Sequence, residues 1–356
     1  MLNNLSVNLI GGASYRKQKA PGTLNQDVDV VTGQVKRDFD INPYSYALNT
    51  SRTLDPDEYY VANYAPFNIM HELETNYIDL NVVDSKFQAQ LNYKPFPDLE
   101  LTALAAIKYA TTSQEHKIKD SSDQAEAYRA MDNSTIRDAN KYLYTDPDNP
   151  YALPITVLPN GGMYQRTDNS MTSYDYRITG TYNHVFNKAH IVNLLGGVES
   201  TRIDRNRNWF NGWGMQYDSG EIPFYVYEFF KKSIEGNTDY YSLKNTNSRT
   251  AAFLFNGTYS YKNRYVLNGT YRYEGSNQLG KSRNARWLPT WNISGAWNAN
   301  EEPWFDKVFN HELSHLTVRA SYSLTASPPD PSLVSSTVVM KAYNPYRLFS
   351  SDKESG

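Results

Sequence analysis

Long stretches in which apolar and polar residues alternate are the feature that most limits what this chain can fold into. Between residues 99 and 109 every odd position is apolar or aromatic, from Leu99 to Tyr109, whereas Glu100, Thr102 and Lys108 lie at even positions. A period of two sends successive side chains to opposite faces of a β-strand. The segment is therefore predicted to be a strand with one apolar and one polar face.

The same pattern recurs along the chain, and neighbouring segments are joined as hairpins. The alternating segment 87–93 is linked to 99–111 by the turn KPFPD. Further alternating segments lie at 174–186, 253–261, 265–273, 287–297 and 316–322. We predict strands of about 10–14 residues, since a tilted strand needs about 9–11 residues to cross a bilayer. Strands of soluble proteins are shorter, at about 5–6 residues.

The connections between the predicted strands alternate between short and long. KPFPD, NKAH and YKNR are short turns, whereas the polar stretches 17–75, 113–171 and 204–249 are long and 275–285 is intermediate. Short turns at one rim and long loops at the other are typical of an outer-membrane barrel. We predict an all-β fold, a partial antiparallel transmembrane β-barrel of about nine or ten long strands with long extracellular loops.

One of these loops is predicted to contain a short helix. The stretch SSDQAEAYRAM begins with capping residues and continues with good helix formers, which places the helix near 122–131. The prolines of TDPDNPYALP follow and exclude a longer helix.

The composition excludes several classes of protein. The chain has no cysteine, so it forms neither disulfides nor thiolate metal sites. Its net charge of −3 gives no electrostatic basis for binding nucleic acid. No run approaches the roughly 18 apolar residues of a membrane helix. Thirty tyrosines, fourteen phenylalanines and six tryptophans instead suit barrels with aromatic girdles, sandwiches or binding surfaces.

The C-terminal third carries a family resemblance. Residues 261–305, YKNRYVLNGTYRYEGSNQLGKSRNARWLPTWNISGAWNANEEPWF, and residues 313–325, LSHLTVRASYSLT, resemble the SusC/RagA family of TonB-dependent outer-membrane transporters. Glu274, Asn277 and Leu279 depart mildly from the family pattern, and the resemblance extends upstream through 126–162. The matching residues are Arg272, Glu274, Gly275, Ser276, Gly280, Leu288, Pro289, Trp297, Glu301, Glu302, Arg319, Ala320, Ser321 and Tyr322.

The resemblance implies both a fold and a function. The fold implied by the resemblance is, in complete members, a barrel of about 22 strands with a plug inside. Their function would be TonB-energised import of glycans or peptides under a SusD-like lipoprotein lid. By this resemblance, residues 1–356 are expected to form one incomplete barrel domain in the outer membrane, without the plug, signal peptide and C-terminal strands. The expected partners are membrane lipid, the SusD-like lipoprotein, TonB through the missing plug, and an oligosaccharide or peptide; no catalysis, cofactor or metal is expected.

The loop predicted over 204–249 supplies the candidate ligand contacts. Its stretch GWGMQYDSGEIPFYVYEFF is rich in aromatic residues and glycine, and such rings stack on sugars or hold peptides. Packing of these rings on neighbouring loops, or on the lid protein, is the alternative. The candidate residues are Trp209, Trp213, Tyr217, Phe224, Tyr225 and Tyr227.

Two further functions are carried as alternatives. One is a secreted or surface glycan-binding module, which shorter strands and a polar outer face would favour. The other is a zinc metalloprotease, because HELSH at 311–315 matches H-E-x-x-H. That motif needs both histidines on a helix and a third ligand, whereas a strand is predicted from Leu316. We therefore expect HELSH to be a coincidental match in a periplasmic turn.

Three polar motifs leave a choice between a site and an ordinary surface. DPDE at 55–58 and TDPDNP at 145–150 offer oxygen ligands for calcium, but plain turns are expected because neither has EF-hand spacing. The basic stretch RIDRNRNW at 202–209 suits an acidic ligand or lipopolysaccharide phosphates, with a solvated rim as the favoured interpretation.

Overall fold

One open antiparallel sheet dominates the fold. The computed structural model describes residues 4–22, 24–28, 35–236, 238–279, 286–309 and 312–326. The strands are β1 Leu5–Pro21, β2 Leu24–Val28, β3 Val35–Phe39, β4 Tyr60–Ala62, β5 Ala65–Phe67, β6 Asn76–Phe96, β7 Leu99–Ile118, β8 Gly162–Phe186, β9 His190–Gln216, β10 Ile222–Pro223, β11 Tyr241–Tyr261, β12 Tyr265–Ser276, β13 Trp287–Asn298 and β14 Thr317–Leu324.

The strands of the large sheet lie in the order β1-β6-β7-β8-β9-β11-β12-β13-β14, and the short β10 pairs with β9. Apart from the jump from β1 to β6, neighbours in the sheet follow one another along the chain, as in an up-and-down barrel wall. β2–β3 and β4–β5 form two separate two-stranded ribbons. The predicted all-β architecture of a partial antiparallel barrel is confirmed.

The register gives the large sheet one apolar face. Ala103 pairs with Ile178, Ile178 with Val198, and Val198 with Phe253, so an unbroken row of apolar side chains crosses four strands. Within this structure the Ile178 side chain is 59% exposed and Phe253 is 52% exposed. We call this side the apolar face; it lies away from the rest of the protein.

Aromatic residues bound the apolar face at two levels. Near the short turns, paired positions carry aromatic rings in one row, and at the far end of the strands a second group flanks the aliphatic zone. Aliphatic residues and glycines lie between the two levels, among them Leu194, Gly257, Gly269 and Ile293. The first belt consists of Phe186, His190, Tyr261, Tyr265 and Trp297, and the second of Tyr174, Tyr176, Tyr273 and Trp287.

The opposite side, the polar face, carries charges around the level of the second aromatic belt. The Glu199 carboxylate forms one ion pair with Arg177 at 2.7 Å and another with Arg272 at 2.9 Å. Lys108 and Asp84 form a further pair at 2.9 Å. The two faces therefore demand different surroundings, one apolar and one aqueous.

The short turns follow the twist of the hairpins. Asn187 and Lys188 between β8 and β9 both have positive φ, as do Lys262 and Asn263 between β11 and β12. Two consecutive left-handed residues are the mark of a type I′ turn, which matches the right-handed twist of paired strands. NKAH and YKNR are thus the tight turns that the sequence predicted.

Several strands of the large sheet are longer than predicted, whereas β12 and β13 have 12 residues each, as predicted. β8 has 25 residues and β9 has 27, against the predicted length of about 10–14. Parts of the predicted loops 113–171 and 204–249 are strand, because the hydrogen-bonded ladders continue past the apolar zone. Both faces of the ladder are polar there, as in Arg205–Asn208, so the alternation that marks a half-buried strand is lost.

The long connections fold together into a unit that we call the cap, residues 39–75, 119–161 and 217–236. Three small clusters of buried residues hold it together, and one joins Phe39 and Ala65 to Ala127 and Tyr142. The predicted helix is confirmed but shorter, beginning after the capping residue Ser122. The helices are α1 Pro43–Asn49, α2 Ile69–Thr75, α3 Asp123–Ala127, α4 Ser134–Ala139, α5 Tyr227–Glu235 and α6 Phe305–Phe309.

Among the described residues, no helix combines the length and the apolar character needed to cross a membrane.

Candidate functional site

The cap rests on the polar face at the ends of three strands. Ile118 on β7 pairs with Met163 on β8, and Met163 pairs with Trp213 on β9. All three side chains point to the polar side of the sheet and join Ala125 and Leu158 of the cap in one buried cluster. The cap therefore covers the polar side of the wall rather than the apolar side.

Two of the six candidate aromatic residues are part of this packing. The Trp213 ring lies 5.1 Å from the ring of Tyr128 and 5.1 Å from that of Phe229. The Tyr217 hydroxyl donates to the Met163 carbonyl at 2.8 Å, and burial raises the pKa of this phenol. Both residues hold the cap together, which leaves little of either ring for a ligand.

The other four candidates present more surface. Phe224, Tyr225 and Tyr227 are 39%, 75% and 73% exposed just before and at the start of α5. Trp209 is half-buried on the polar side of β9. The Phe224 amide donates to the Gly214 carbonyl at 2.7 Å, and Gly214 has a φ of +79°, which suits glycine. The backbone thus fixes where this aromatic segment begins.

An ion-pair cluster attaches α5 to the loop that carries TDPDNP. The Lys231 ammonium lies 2.6 Å from Asp146, 3.4 Å from Asp148 and 3.6 Å from Glu235, and Tyr144 donates to Glu235 at 2.7 Å. The hydrogen bond from Lys231 lowers the pKa of Asp146. These three carboxylates are close enough to hold a metal ion, but Lys231 supplies a cation among them.

The two aspartate-rich motifs have the geometry of turns. The Asp148 amide donates to the Asp146 carboxylate at 2.9 Å, and the Asp57 amide donates to the Asp55 carboxylate at 3.0 Å. Each is an Asx turn, the local hydrogen bond that aspartate commonly makes with its own backbone.

A pair of buried carboxylates lies at the contact between α2 and α3. Glu72 is 1% exposed and Asp123 is 2% exposed, and the Asp123 amide donates to Glu72 Oε1 at 2.7 Å. Among the described residues, Glu72 Oε2 and Asp123 Oδ1 have no hydrogen-bond partner. Burial, and then repulsion from Glu72, raises the pKa of Asp123 to about 8, and burial raises the pKa of Glu72 to about 7.

These raised pKa values give the cap a contribution to stability that is present in acid. An unfolded carboxyl has a pKa near 4, so the folded cap binds protons more tightly than the unfolded chain. The stabilisation is complete below about pH 4 and is lost as the pH rises towards about 8. We expect the cap's melting temperature, measured by tryptophan fluorescence, to fall as the pH rises from about 5 to about 8. Glu72→Gln, which keeps the Oε1 acceptor without the charge, should flatten this fall.

The matched control is Glu74→Gln, because Glu74 is on the same helix but exposed. This variant should keep the full pH dependence of the parent. A Glu72→Gln protein that melts below its parent near pH 8 would contradict the assignment, since removal of a buried charge should stabilise the cap at that pH.

The backbone of the HELSH segment does not suit the metalloprotease alternative. Residues 312–316 are irregular, with Glu312 and His315 exposed and His315 Nε2 lying 3.0 Å from the Thr317 hydroxyl. His311 lies outside the described residues. A zinc-binding H-E-x-x-H needs a helix to bring its histidines to one face, and 312–316 is not one. The nearby helix α6 covers Phe305–Phe309 and does not include the motif.

The basic stretch RIDRNRNW is part of β9 rather than of a loop. Strand alternation places Arg202 on the apolar side of the sheet, above the second aromatic belt, and Arg205 and Arg207 on the opposite side. Asp204 accepts from Arg202 at 2.8 Å and from Arg249 on β11 at 2.8 Å. The motif is therefore divided between two surfaces of the wall.

Comparison with solved structures supports the fold. The RagAB peptide importer in its closed-closed state superposes with a TM-score of 0.57 at 14% identity, over 90% of this chain and 31% of that chain. The same importer in its open-open state gives a TM-score of 0.56 at 15% identity, over 90% of this chain and 30% of that chain. The chain thus spans about a third of the length of these structures.

No protein-family profile matches the sequence. No curated protein matches it either. At 14% and 15% identity the structural likeness shows a shared fold, a wall of long antiparallel strands with folded connections at one end.

Sequence reasoning did not find several residues that organise the cap. Asp123 lies in a stretch predicted as a helix and Glu72 in a stretch predicted as a loop, and nothing in either stretch indicates that the two carboxylates meet. Arg129, which donates to the carbonyls of Asp120 at 2.9 Å and Leu158 at 3.1 Å, lies in the stretch of family resemblance but looked like an ordinary helix residue. A charged residue beside buried alanines in EAYRA is the only hint that the sequence offers.

Proposed function

We propose that this chain forms part of the wall and external cap of an outer-membrane nutrient importer of the SusC/RagA type. The observation that carries the proposal is the contrast between the two faces of the sheet. One face is apolar between two aromatic belts, whereas the other carries the Arg177–Glu199–Arg272 ion pairs at the level of the second belt. Lipid on one side and water on the other satisfies both faces.

The energetic argument is one of exposed area. Each apolar side chain left in water forgoes about 1.5–3 kcal/mol relative to full burial. The apolar face exposes many such side chains in continuous rows, including Ile178, Leu267 and Ile293 at 59%, 55% and 54%. A soluble glycan-binding module would have short strands and a polar outer face, and this sheet has neither.

The proposed cargo is a peptide or an oligosaccharide. The superposed structures are of a peptide importer, which makes a peptide the first candidate to test. In this proposal the cap lies outside the membrane, a SusD-like lipoprotein covers it, and TonB acts through a plug. The exposed rings of Phe224, Tyr225 and Tyr227 and the half-buried ring of Trp209 would contact the cargo or the lipoprotein. Trp213 and Tyr217 would support them from below.

The chain has no cysteine, so single cysteines report which face meets water. Ile178→Cys and Thr179→Cys are neighbours on β8 that point to opposite faces, as are Leu267→Cys and Asn268→Cys on β12. In intact outer membranes we expect a water-soluble maleimide to label positions 179 and 268. Positions 178 and 267 should resist it, because a thiol in lipid does not ionise.

The same four variants distinguish the proposal from its alternatives. Equal labelling at all four positions, or recovery of the protein in a soluble fraction, would exclude a membrane wall and favour the secreted binding module. A lipid-soluble maleimide supplies the positive control, since it should reach positions 178 and 267.

A further inference from the structure

An open groove interrupts the apolar face at the second aromatic belt. Register places Tyr176, Ser200, Ala251, Gly275 and Trp287 side by side on five successive strands. The three central residues are small and the two outer ones are aromatic, so the row forms a floor between two walls. The groove has a volume of about 640 Å³.

The aromatic walls are held in place by their neighbours. The Trp287 ring stacks on Tyr273 at 4.9 Å and on Phe253 at 6.0 Å. A Cβ at Gly275 would lie 2.7 Å from the Trp287 ring, so glycine is required where the indole lies over the strand. The floor is therefore shaped by packing and not by chance exposure.

Arginines form the lip of the groove on the side away from the short turns. Arg202 and Arg249 are directly paired across β9 and β11, and Arg286 also lines the groove. Like charges on directly opposite positions destabilise a sheet. Asp204 is shared by Arg202 and Arg249 at 2.8 Å each, so this trio keeps a net positive charge.

On the other side of the floor the surface is apolar. Val198 and Phe253 occupy the next paired positions on the same two strands, and they continue into the aliphatic zone. A molecule that fills the groove thus meets guanidinium groups at one end, aromatic rings at its sides and aliphatic side chains at the other end. Only an amphipathic anion complements this sequence of surfaces.

We propose that the groove binds the anionic, phosphate-bearing headgroup of an outer-leaflet glycolipid. Guanidinium groups match phosphate geometry with paired N–H donors. Arg202 and Arg249 would hold the phosphate, Tyr176 and Trp287 the rest of the headgroup, and Phe253 the start of an acyl chain. The inference rests on the proposed function, because the apolar end of the groove needs a membrane.

The protein purified from outer membranes is the sample, and native mass spectrometry of its retained lipid is the measurement. The double variant Arg202→Gln/Arg249→Gln should retain at least about tenfold less phosphate-bearing glycolipid. The control Arg205→Gln/Arg207→Gln removes two charges from the opposite side of the same strand and should retain the parent's amount. Ala251→Leu, which fills the floor and keeps every arginine, should also lose lipid.

Three outcomes would overturn the proposal. The first is that the Arg202→Gln/Arg249→Gln variant retains the parent's amount of lipid, and the second is that both double variants lose equal amounts. The third is that inorganic phosphate displaces all of the lipid, which would make the groove a free-phosphate site. Nanodiscs of phosphatidylcholine with and without the glycolipid check that the recovered lipid rebinds. If lipid protects position 178 from labelling but the amount of lipid retained does not depend on Arg202 and Arg249, this inference fails and the importer proposal stands.

Discussion

Ile293→Arg is expected to prevent stable insertion of the wall. Ile293 is 54% exposed on the apolar face and pairs with Gly269 and Tyr322, between the two aromatic belts. An arginine facing lipid near the middle of a barrel wall costs about 2–4 kcal/mol. A cost of this size is a large share of the total stability of an ordinary domain.

The matched control is Asn292→Arg, one residue away on the polar face. It adds the same side chain to the same strand but directs it towards water and the existing ion pairs. Folded protein in membranes, quantified by protease resistance and guanidinium titration, should fall for Ile293→Arg and stay near the parent for Asn292→Arg. Equal losses from the two variants would show that this region of β13 tolerates no arginine and that its faces are equivalent.

The wall, the large antiparallel sheet, could be predicted from the sequence because its strands and turns depend on residues that are close together in the chain. Alternation of apolar and polar residues identifies a strand with two unlike faces, and tight turns such as Asn187–Lys188 fix which strands pair. Once a turn and the alternation are known, the register follows. The ends of the strands could not be predicted, because past the aliphatic zone both faces carry polar residues and the side-chain pattern no longer indicates a strand.

The cap could be predicted only in outline. Its buried clusters combine residues that are distant in sequence, such as Phe39 with Tyr142 and Ile118 with Leu158. Its helices have five to nine residues, too few for helical periodicity to show, and α2 begins only because Asn68 caps it. Short helices of this kind are stabilised by tertiary packing and not by propensity.

The candidate ligand contacts stay a prediction, and the sequence could not show which residues of the segment pack inside the cap. The sequence does not distinguish an aromatic residue that packs inside the protein from one that contacts a ligand. GWGMQYDSGEIPFYVYEFF therefore gave no basis for dividing its aromatic residues into these two groups. The structure divides them through partners: Trp213 meets Tyr128 and Phe229, whereas Tyr225 is 75% exposed. Tyr128 comes from another connection and Phe229 from α5, so their proximity to Trp213 depends on the fold of the cap.

Trp213→Ala is expected to unfold much of the cap while leaving the wall intact. Trp213 joins the row Ile118–Met163 on the wall to Tyr128 in one connection and Phe229 on α5 in another. Removing a packed tryptophan side chain costs about 3–5 kcal/mol, through lost burial and the cavity that remains. Because both connections share this residue, the loss should appear in the two of them together.

Hydrogen exchange resolves the cap from the wall. In Trp213→Ala the amides of α3 and α5 should exchange at least about a hundredfold faster, while those in the centres of β8 and β11 keep their protection. Trp213→Phe keeps most of the ring contacts and should lose far less protection; the indole N–H has no hydrogen-bond partner among the described residues, so its removal breaks no bond. Tyr225→Ala, at an exposed ring of the same segment, should change no protection.

These variants also separate support from contact. If Trp213 only holds the cap, cargo binding in Trp213→Ala should be lost in proportion to the unfolded fraction and recover when the cap is stabilised at low temperature. If Tyr225 contacts the cargo, its alanine variant should bind more weakly at every temperature with an intact cap. Unchanged protection of α5 in Trp213→Ala would remove Trp213 from the centre of the cap and return it to the set of residues free to meet a ligand.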